Sequence, residues 1–265
     1  MGTLTVTRTI TNMITGTDTA TRTIITGTTM STEPTVRNGA METVSPALLR
    51  LMQLVSPALP VGAYAYSHGL EWAVGEGWVA DEAAVGRWIR GLLEHTWSQV
   101  DVPVLLRLRD AFERGDAATV RRWAEFLTAS RESAELQAED RVMGQGLARL
   151  LNDLGIPDAA TWAADPACAM PLPWALASLH WRIAPLASAA GMLWTYVEHQ
   201  VSAAVKLVPL GQTAGQRLLG SLGEHIPAAV TRGMAVPDDE IGAAAPGLAI
   251  ASALHETQYT RLFRS

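Results

Sequence analysis

The sequence holds one cysteine, Cys168, one lysine, Lys206, and only three phenylalanines and four tyrosines in 265 residues. A lone thiol excludes both an intrachain disulfide framework and a multi-thiolate zinc site. It suits a reducing compartment, and a cytoplasmic location is the expectation. The scarcity of Phe and Tyr beside plentiful Ala, Leu and Arg favours helix over strand. No excess of positive charge is present. The formal net charge is −6, which argues against a general nucleic-acid binder, because phosphate contacts demand a basic field. Long apolar runs are also missing. The most apolar stretch, Ile183 to Val197, falls short of the ~20 residues that span a bilayer. Glu198, His199 and Gln200 follow it at once. It reads as a buried helix, and no membrane association is expected. The N-terminus lacks the apolar core of a secretory signal.

The usual marks of catalysis are absent as well. There is no GxxxxGK[ST] loop, and Gly211 to Gly215 lacks the lysine of a phosphate cradle. The six histidines form no HxH or HExxH pair. His255-Glu256 begins like a zincin helix, but Tyr259 stands where the second histidine belongs. Glu198-His199, an acid beside an imidazole within an apolar helix, is the weak exception. Glu132, Glu135 and Glu139 share one helical face with Asp140, Arg131 and Arg141 close by. A solvated, salt-bridged face is the default for such a run. No catalytic residue and no metal site is therefore assigned.

Composition changes near residue 45. Residues 1–45 alternate Thr with Ile, Val and Arg and carry few large apolar residues. They are read as a disordered tail, since a lone ribbon so poor in core residues is marginal. From residue 46 to 265 the pattern is helical. Asp81 is placed to cap a helix carrying Val85, Trp88, Ile89, Leu92 and Leu93. Leu136, Met143, Leu147, Leu150 and Leu154 form another stripe, ended by Gly155 and Pro157. Prolines punctuate residues 155 to 173, which read as a loop. Pro185 opens a long helix that closes at Pro209-Leu210-Gly211, a helix over Gln212 to His225 follows, and Pro246 opens the last one. The fold expected is all-α: one irregular, orthogonal multi-helix domain of roughly eight to ten helices.

Four segments carry further information. Residues 48–74 read LLRLMQLVSPALPVGAYAYSHGLEWAV, where a short helix meets a turn fixed by Pro57, Pro60 and Gly62 and leads to a second helix bearing Tyr64, Tyr66, Ser67 and His68. Residues 130–150 read SRESAELQAEDRVMGQGLARL, residues 199–216 HQVSAAVKLVPLGQTAGQ, and residues 255–265 HETQYTRLFRS. Taken in this order, the four segments resemble the UreF family of urease accessory proteins over about residues 46–265.

That resemblance implies an all-α homodimer that is not itself an enzyme. It implies partners UreD (also called UreH), the GTPase UreG and the urease apoprotein. The chain would help insert nickel and modulate GTP hydrolysis while binding no cofactor, nickel and GTP being handled by its partners. The residues themselves suggest where contact is made. Arg261, Leu262, Phe263 and Arg264 form an end too apolar to stay free, so they are expected to order against a partner, with self-packing as the alternative. Tyr64 is matched with Arg261 in such a surface, against ordinary core packing. Lys206, in an apolar helix, must snorkel, pair or meet a partner. The resemblance makes it a candidate for tuning GTPase coupling. Glu71 and Gln212 are weaker candidates. The rival readings are an all-α metal-dependent hydrolase using the Glu-rich helix and His199, and a direct nickel carrier.

Overall fold

Pro185 lacks an N–H and has its φ preset, so it suits the first turn of a helix, and the longest helix of the protein starts there. The computed structural model describes residues 44–243 and 245–265. The expected disordered tail, apart from Val44 and Ser45, lies outside the described residues. Within them the helices are Pro46–Leu54 (α1), Leu70–Gly75 (α2), Glu82–Leu92 (α3), Val102–Arg114 (α4), Ala117–Ala129 (α5), Ala134–Asp153 (α6), Ala159–Trp162 (α7), Pro171–His180 (α8), Pro185–Leu207 (α9), Gln212–Gly223 (α10), Ile226–Ala235 (α11) and Pro246–His255 (α12). No strand occurs among the described residues, and none of their helices is long and apolar enough to cross a membrane. The all-α expectation holds.

Helix α9 is the axis of the domain. It packs against α1, α2, α3, α4, α8, α10 and α11. One helix can meet so many neighbours because its buried face is largely small: Ser188, Ala189, Gly191, Ala203 and Ala204 let other backbones come close. A methyl group at Gly191 would lie 2.6 Å from Leu51 Cδ1 of α1. Fully buried Trp174 of α8 donates its indole N–H to the Ser188 backbone carbonyl and hydroxyl, 3.2 Å from each.

Local chemistry sets the helix starts. Asp81, Asp116 and Ser133 each accept a backbone N–H from three residues ahead, at 2.7, 3.0 and 3.1 Å. Helices α3 and α4 are joined without a break by a π-helical stretch, Leu93–Asp101. There the Val102 N–H reaches the Trp97 carbonyl, five residues back. Pro103 follows with no N–H to give, so a widened turn just before it sacrifices little. The extra residue also leaves Asp101 facing inward, almost wholly buried.

Two local expectations need correction. Residues 155–173 are not simply a loop, since α7 lies within them and α8 begins at Pro171. Pro171 and Pro173 occupy the first turn of α8, where N–H groups have no intrahelical partner, so they start a helix rather than break one. Tyr64 to His68 are not on the second helix, which begins only at Leu70. Tyr64 lies in a single 3-10 turn, Ala63–Ala65, Tyr66 is extended, and His68 and Gly69 both have positive φ, at 54° and 76°.

Gly144, midway along α6, faces the backbone of Cys168 and Ala169, and a Cβ there would overlap the Cys168 carbonyl oxygen. Backbone cannot move aside as a flexible side chain can. Gly144→Ala is therefore expected to destabilise the domain by about 3 kcal/mol, read as a lowered denaturation midpoint at unchanged helical content.

Candidate functional site

The turn of residues 56–69 is held by sequence. Gly62 adopts φ 79°, which disfavours a side chain. Gly69 adopts φ 76°, and a Cβ on it would press on the Ser252 nitrogen of α12 at 3.2 Å. The two left-handed residues, His68 and Gly69, turn the chain so that Ser67 faces the C-terminal segment. Ser67 donates its N–H and its hydroxyl to the Ser265 carbonyl oxygen, at 2.6 and 2.5 Å. The Arg264 N–H returns to the Ala65 carbonyl at 2.9 Å. From α9, the Gln200 amide donates to the Ser67 carbonyl at 2.9 Å.

Carboxylates from α2 and α6 complete the seat. Glu71 accepts the N–H groups of Leu262 and Phe263, at 2.6 and 2.8 Å. His255, wholly buried, places Nε2 3.3 Å from Glu71 and Nδ1 2.6 Å from Glu135. Glu135 also receives Arg261 at 2.5 Å, and Arg261 donates further to the carbonyls of Gln258 and Glu256. Glu139 accepts the Ser265 hydroxyl at 2.5 Å and lies 3.4 Å from His68 Nδ1. Glu256 caps the start of α6 through the N–H of Ala134, at 2.9 Å.

The segment after α12 is thus ordered against its own domain. The segment takes the self-packed arrangement that stood as the alternative to ordering on a partner, its hydrogen bonds being satisfied within the chain. Phe263 is buried. Arg261 is committed to intramolecular acceptors and is not matched with Tyr64. Leu262 and Arg264 remain exposed. Glu71 is buried and acts as an internal acceptor.

A second feature lies between the 3-10 turn, α9 and α10. It is an open groove of about 290 Å³ lined by Tyr64, Glu198, Ser202, Lys206, Gln212 and Gln216, among others. Three sequence candidates, Tyr64, Lys206 and Gln212, therefore meet in one place. Tyr64 packs edge-on against His199 with ring centres 4.9 Å apart. Burial first, then the Glu198 charge, pushes the Tyr64 hydroxyl up to about 12. Burial also raises Glu198, whose Oε2 is shielded from solvent and has no hydrogen-bond partner. The Lys206 ammonium sits 5.4 Å from the centre of the Phe263 ring, within reach of a cation–π attraction. Lys206 thereby links groove and tail.

Behind the tail lies a small cavity of about 40 Å³, bordered by His68, Trp97, Arg131, Glu139, His199 and Gln200, among others. Arg131 fills one wall, donating to Asp101 at 2.7 and 3.2 Å and to Asp140 at 2.8 Å. Burial opposes its charge, yet the two carboxylates outweigh that and hold the guanidinium firmly protonated. The face read from sequence as solvated is in part an interior one, with Arg131, Glu139 and Asp140 all shielded. Sequence reasoning missed Asp101 altogether. Its signal was a lone acid within the apolar run Val100 to Leu106. Burial lowers His68, but Glu139 overrides this by charge and hydrogen bond, so its pKa is raised. For partly buried His199 burial outweighs the opposing Glu139 charge, and its pKa falls to about 4.

The geometry defines a class: an all-helical protein with a folded-back tail, an open polar groove beside it and an interior in which one guanidinium serves two carboxylates. Comparison with known proteins narrows this. The UreF family model matches residues 79–223. "Urease accessory protein UreF" of Alkalilimnicola ehrlichii is 52% identical over 207 residues, spanning 78% of this chain and 91% of that protein. "Urease accessory protein UreF 2" of Brucella anthropi is 48% identical over the same shares of the two chains. The UreF of Klebsiella pneumoniae subsp. pneumoniae is 46% identical over 219 residues, 78% of this chain and 92% of its own. The chain belongs to the UreF family of urease accessory proteins.

Two outcomes follow from the buried charges. Arg131→Met leaves Asp101 and Asp140 without their cation and is expected to cost about 3–5 kcal/mol in a urea melt. The lowered His199 value means that its neutral form favours the fold. That contribution is complete above the unfolded value of about 6.5 and is lost as pH falls toward 4. His199→Gln should flatten the acid limb of stability over that window.

Proposed function

We propose that the chain is a non-enzymatic adaptor in urease maturation, bridging UreD/UreH and the GTPase UreG while nickel is inserted into the urease apoprotein. In this reading it works as a cytoplasmic homodimer, binds neither nickel nor nucleotide as a cofactor of its own, and modulates GTP hydrolysis by UreG. The family membership supports the urease connection. One structural observation carries the adaptor reading. The C-terminal segment is rigidly seated yet turns Leu262 and Tyr259 outward, and α12 before it exposes Ile250 and Leu254. Tyr259 and Leu262 are 102% and 66% exposed. Apolar side chains held out by an ordered scaffold mark a docking surface better than a disordered end does, because little ordering entropy remains to be lost on binding.

The adjacent groove supplies the polar complement. The Lys206 ammonium, the Tyr64 hydroxyl and the Gln212 and Gln216 amides border it. The groove suits a partner loop bearing a carboxylate, and Lys206 is the residue on which GTP-linked coupling would turn. Leu262, Arg264, Tyr64, Lys206 and Gln212 are the contact residues in this reading. Glu71, Arg261 and Phe263 hold the surface in place from within.

Co-purification of the chain with UreD/UreH and UreG tests the reading, and failure to bind either would overturn it. Leu262→Asp should weaken complex formation about tenfold or more while leaving the melting temperature unchanged. Lys206→Ala should reduce GTP-dependent urease activation more than dimerisation. Equal loss of both would assign Lys206 a structural role.

A further inference from the structure

The groove beside the 3-10 turn has two ends of opposite charge. Along α9 it is lined by Glu198, Val201, Ser202, Val205 and Lys206, the i, i+3, i+4, i+7 and i+8 positions of one helical face. Along α10 it is lined by Gln212, Gly215, Gln216 and Leu219, a stripe of the same spacing. The two stripes meet closely, since a Cβ on Gly215 would lie 2.8 Å from Val205 Cγ2. At the helical rise, the positions of Glu198 and Lys206 along α9 set their backbones about 12 Å apart. Neither has a counter-ion among the described residues. Glu198 Oε2 is shielded from water and accepts no hydrogen bond, and burial raises the Glu198 pKa. The Lys206 ammonium rests on the Phe263 ring rather than on a carboxylate. Arg217, the cation of α10, turns instead to Glu82 of α3. His199, next to Glu198, is held neutral by burial.

A shielded carboxylate oxygen without a donor costs stability. A basic side chain offered from outside would supply both the hydrogen bond and the opposite charge. At the other end Lys206 offers the same to a carboxylate. Between the two ends Val201, Val205 and Leu219 present apolar surface. We infer that the groove is a bipolar recognition site for one segment of a partner protein, taking a basic side chain at Glu198, an apolar one over the middle and an acidic one at Lys206. The order of charges fixes the direction in which the segment lies, because a reversed segment would set like charges together at both ends. This inference rests on the adaptor reading and deepens it, since that reading assigns only the Lys206 end. It makes Glu198 a contact residue, retained at a cost to the free chain.

The test measures binding of the full chain to purified UreG and, separately, to purified UreD/UreH by calorimetry, and melting of the chain alone by circular dichroism. Glu198→Gln should weaken one of the two complexes about tenfold or more. Its melting temperature should be unchanged or raised, because the carboxylate finds no donor within the chain. Glu198→Lys should weaken the same complex further, since it sets a cation against a cation. A lysine variant that binds as well as wild type, or better, overturns the assignment. Should that variant fail to fold, salt dependence decides with Glu198→Gln alone. Wild-type affinity should fall as salt rises, and the glutamine variant should show a shallower fall. Unaltered affinity of Glu198→Gln for both partners, or weaker binding together with a lower melting temperature, overturns the bipolar groove. If Leu262→Asp still weakens a complex in that case, the adaptor reading stands without it. A wild-type chain that binds neither protein sinks both.

Discussion

A carboxylate removed from water must find donors, and Glu71, Glu135 and Glu139 all lie along the seam where α2, α6 and α12 meet. Their need for hydrogen bonds organises the end of the molecule. Backbone N–H groups of residues 262 and 263, the imidazole of His255, the guanidinium of Arg261 and the hydroxyl of Ser265 are arranged around them. Removing any one carboxylate would orphan several donors at once, because each serves two or more. The tail is therefore an integral wall of the domain, and its ordering derives from polar satisfaction more than from the single buried ring of Phe263.

The same rule operates deeper in the fold. Arg131 is the only cation between Asp101 and Asp140 among the described residues, and Asp140 also accepts the Met170 N–H at 2.8 Å. That second bond fastens the segment before α8 to α6. It lies beside the contact where Gly144 admits the Cys168 carbonyl. A charge network and a missing side chain together fix how α6 approaches α8. The π-helical stretch contributes from the other side by turning Asp101 inward. The polar interior is thus assembled from three separate parts of the chain, none of which forms it alone.

Much of the fold was legible in the sequence because periodicity and capping are local. Asp81 as a cap, Pro185 and Pro246 as helix openers and the buried stripe of Leu136, Met143 and Leu147 were all readable from spacing, whereas Leu154, counted in that stripe, is exposed past the end of α6. Helix α8 was not, since Pro171 and Pro173 punctuate a loop as readily as they begin a helix, and only burial of Trp174 decides. At the site, Tyr64, Lys206 and Gln212 could be named from the sequence but not placed together, because their common groove depends on how α9 and α10 cross. Glu71, a weaker contact candidate from the sequence, is buried and accepts from the backbone of Leu262 and Phe263. Its distance along the chain from Phe263 hides their hydrogen bond from any local pattern. The Arg/Glu run at 131–140 misled for the same reason: helical spacing reveals which residues share a face, not whether that face looks at water.

The shortage of lysine has a practical side. Arginine carries nearly all the positive charge, and arginine does not react with amine-directed reagents. The one side-chain amine of the chain stands exposed at the rim of the groove. Any partner joined to this protein through a side-chain amine must therefore have been lying at that rim, so a single covalent link would map which molecule occupies it without a label being introduced.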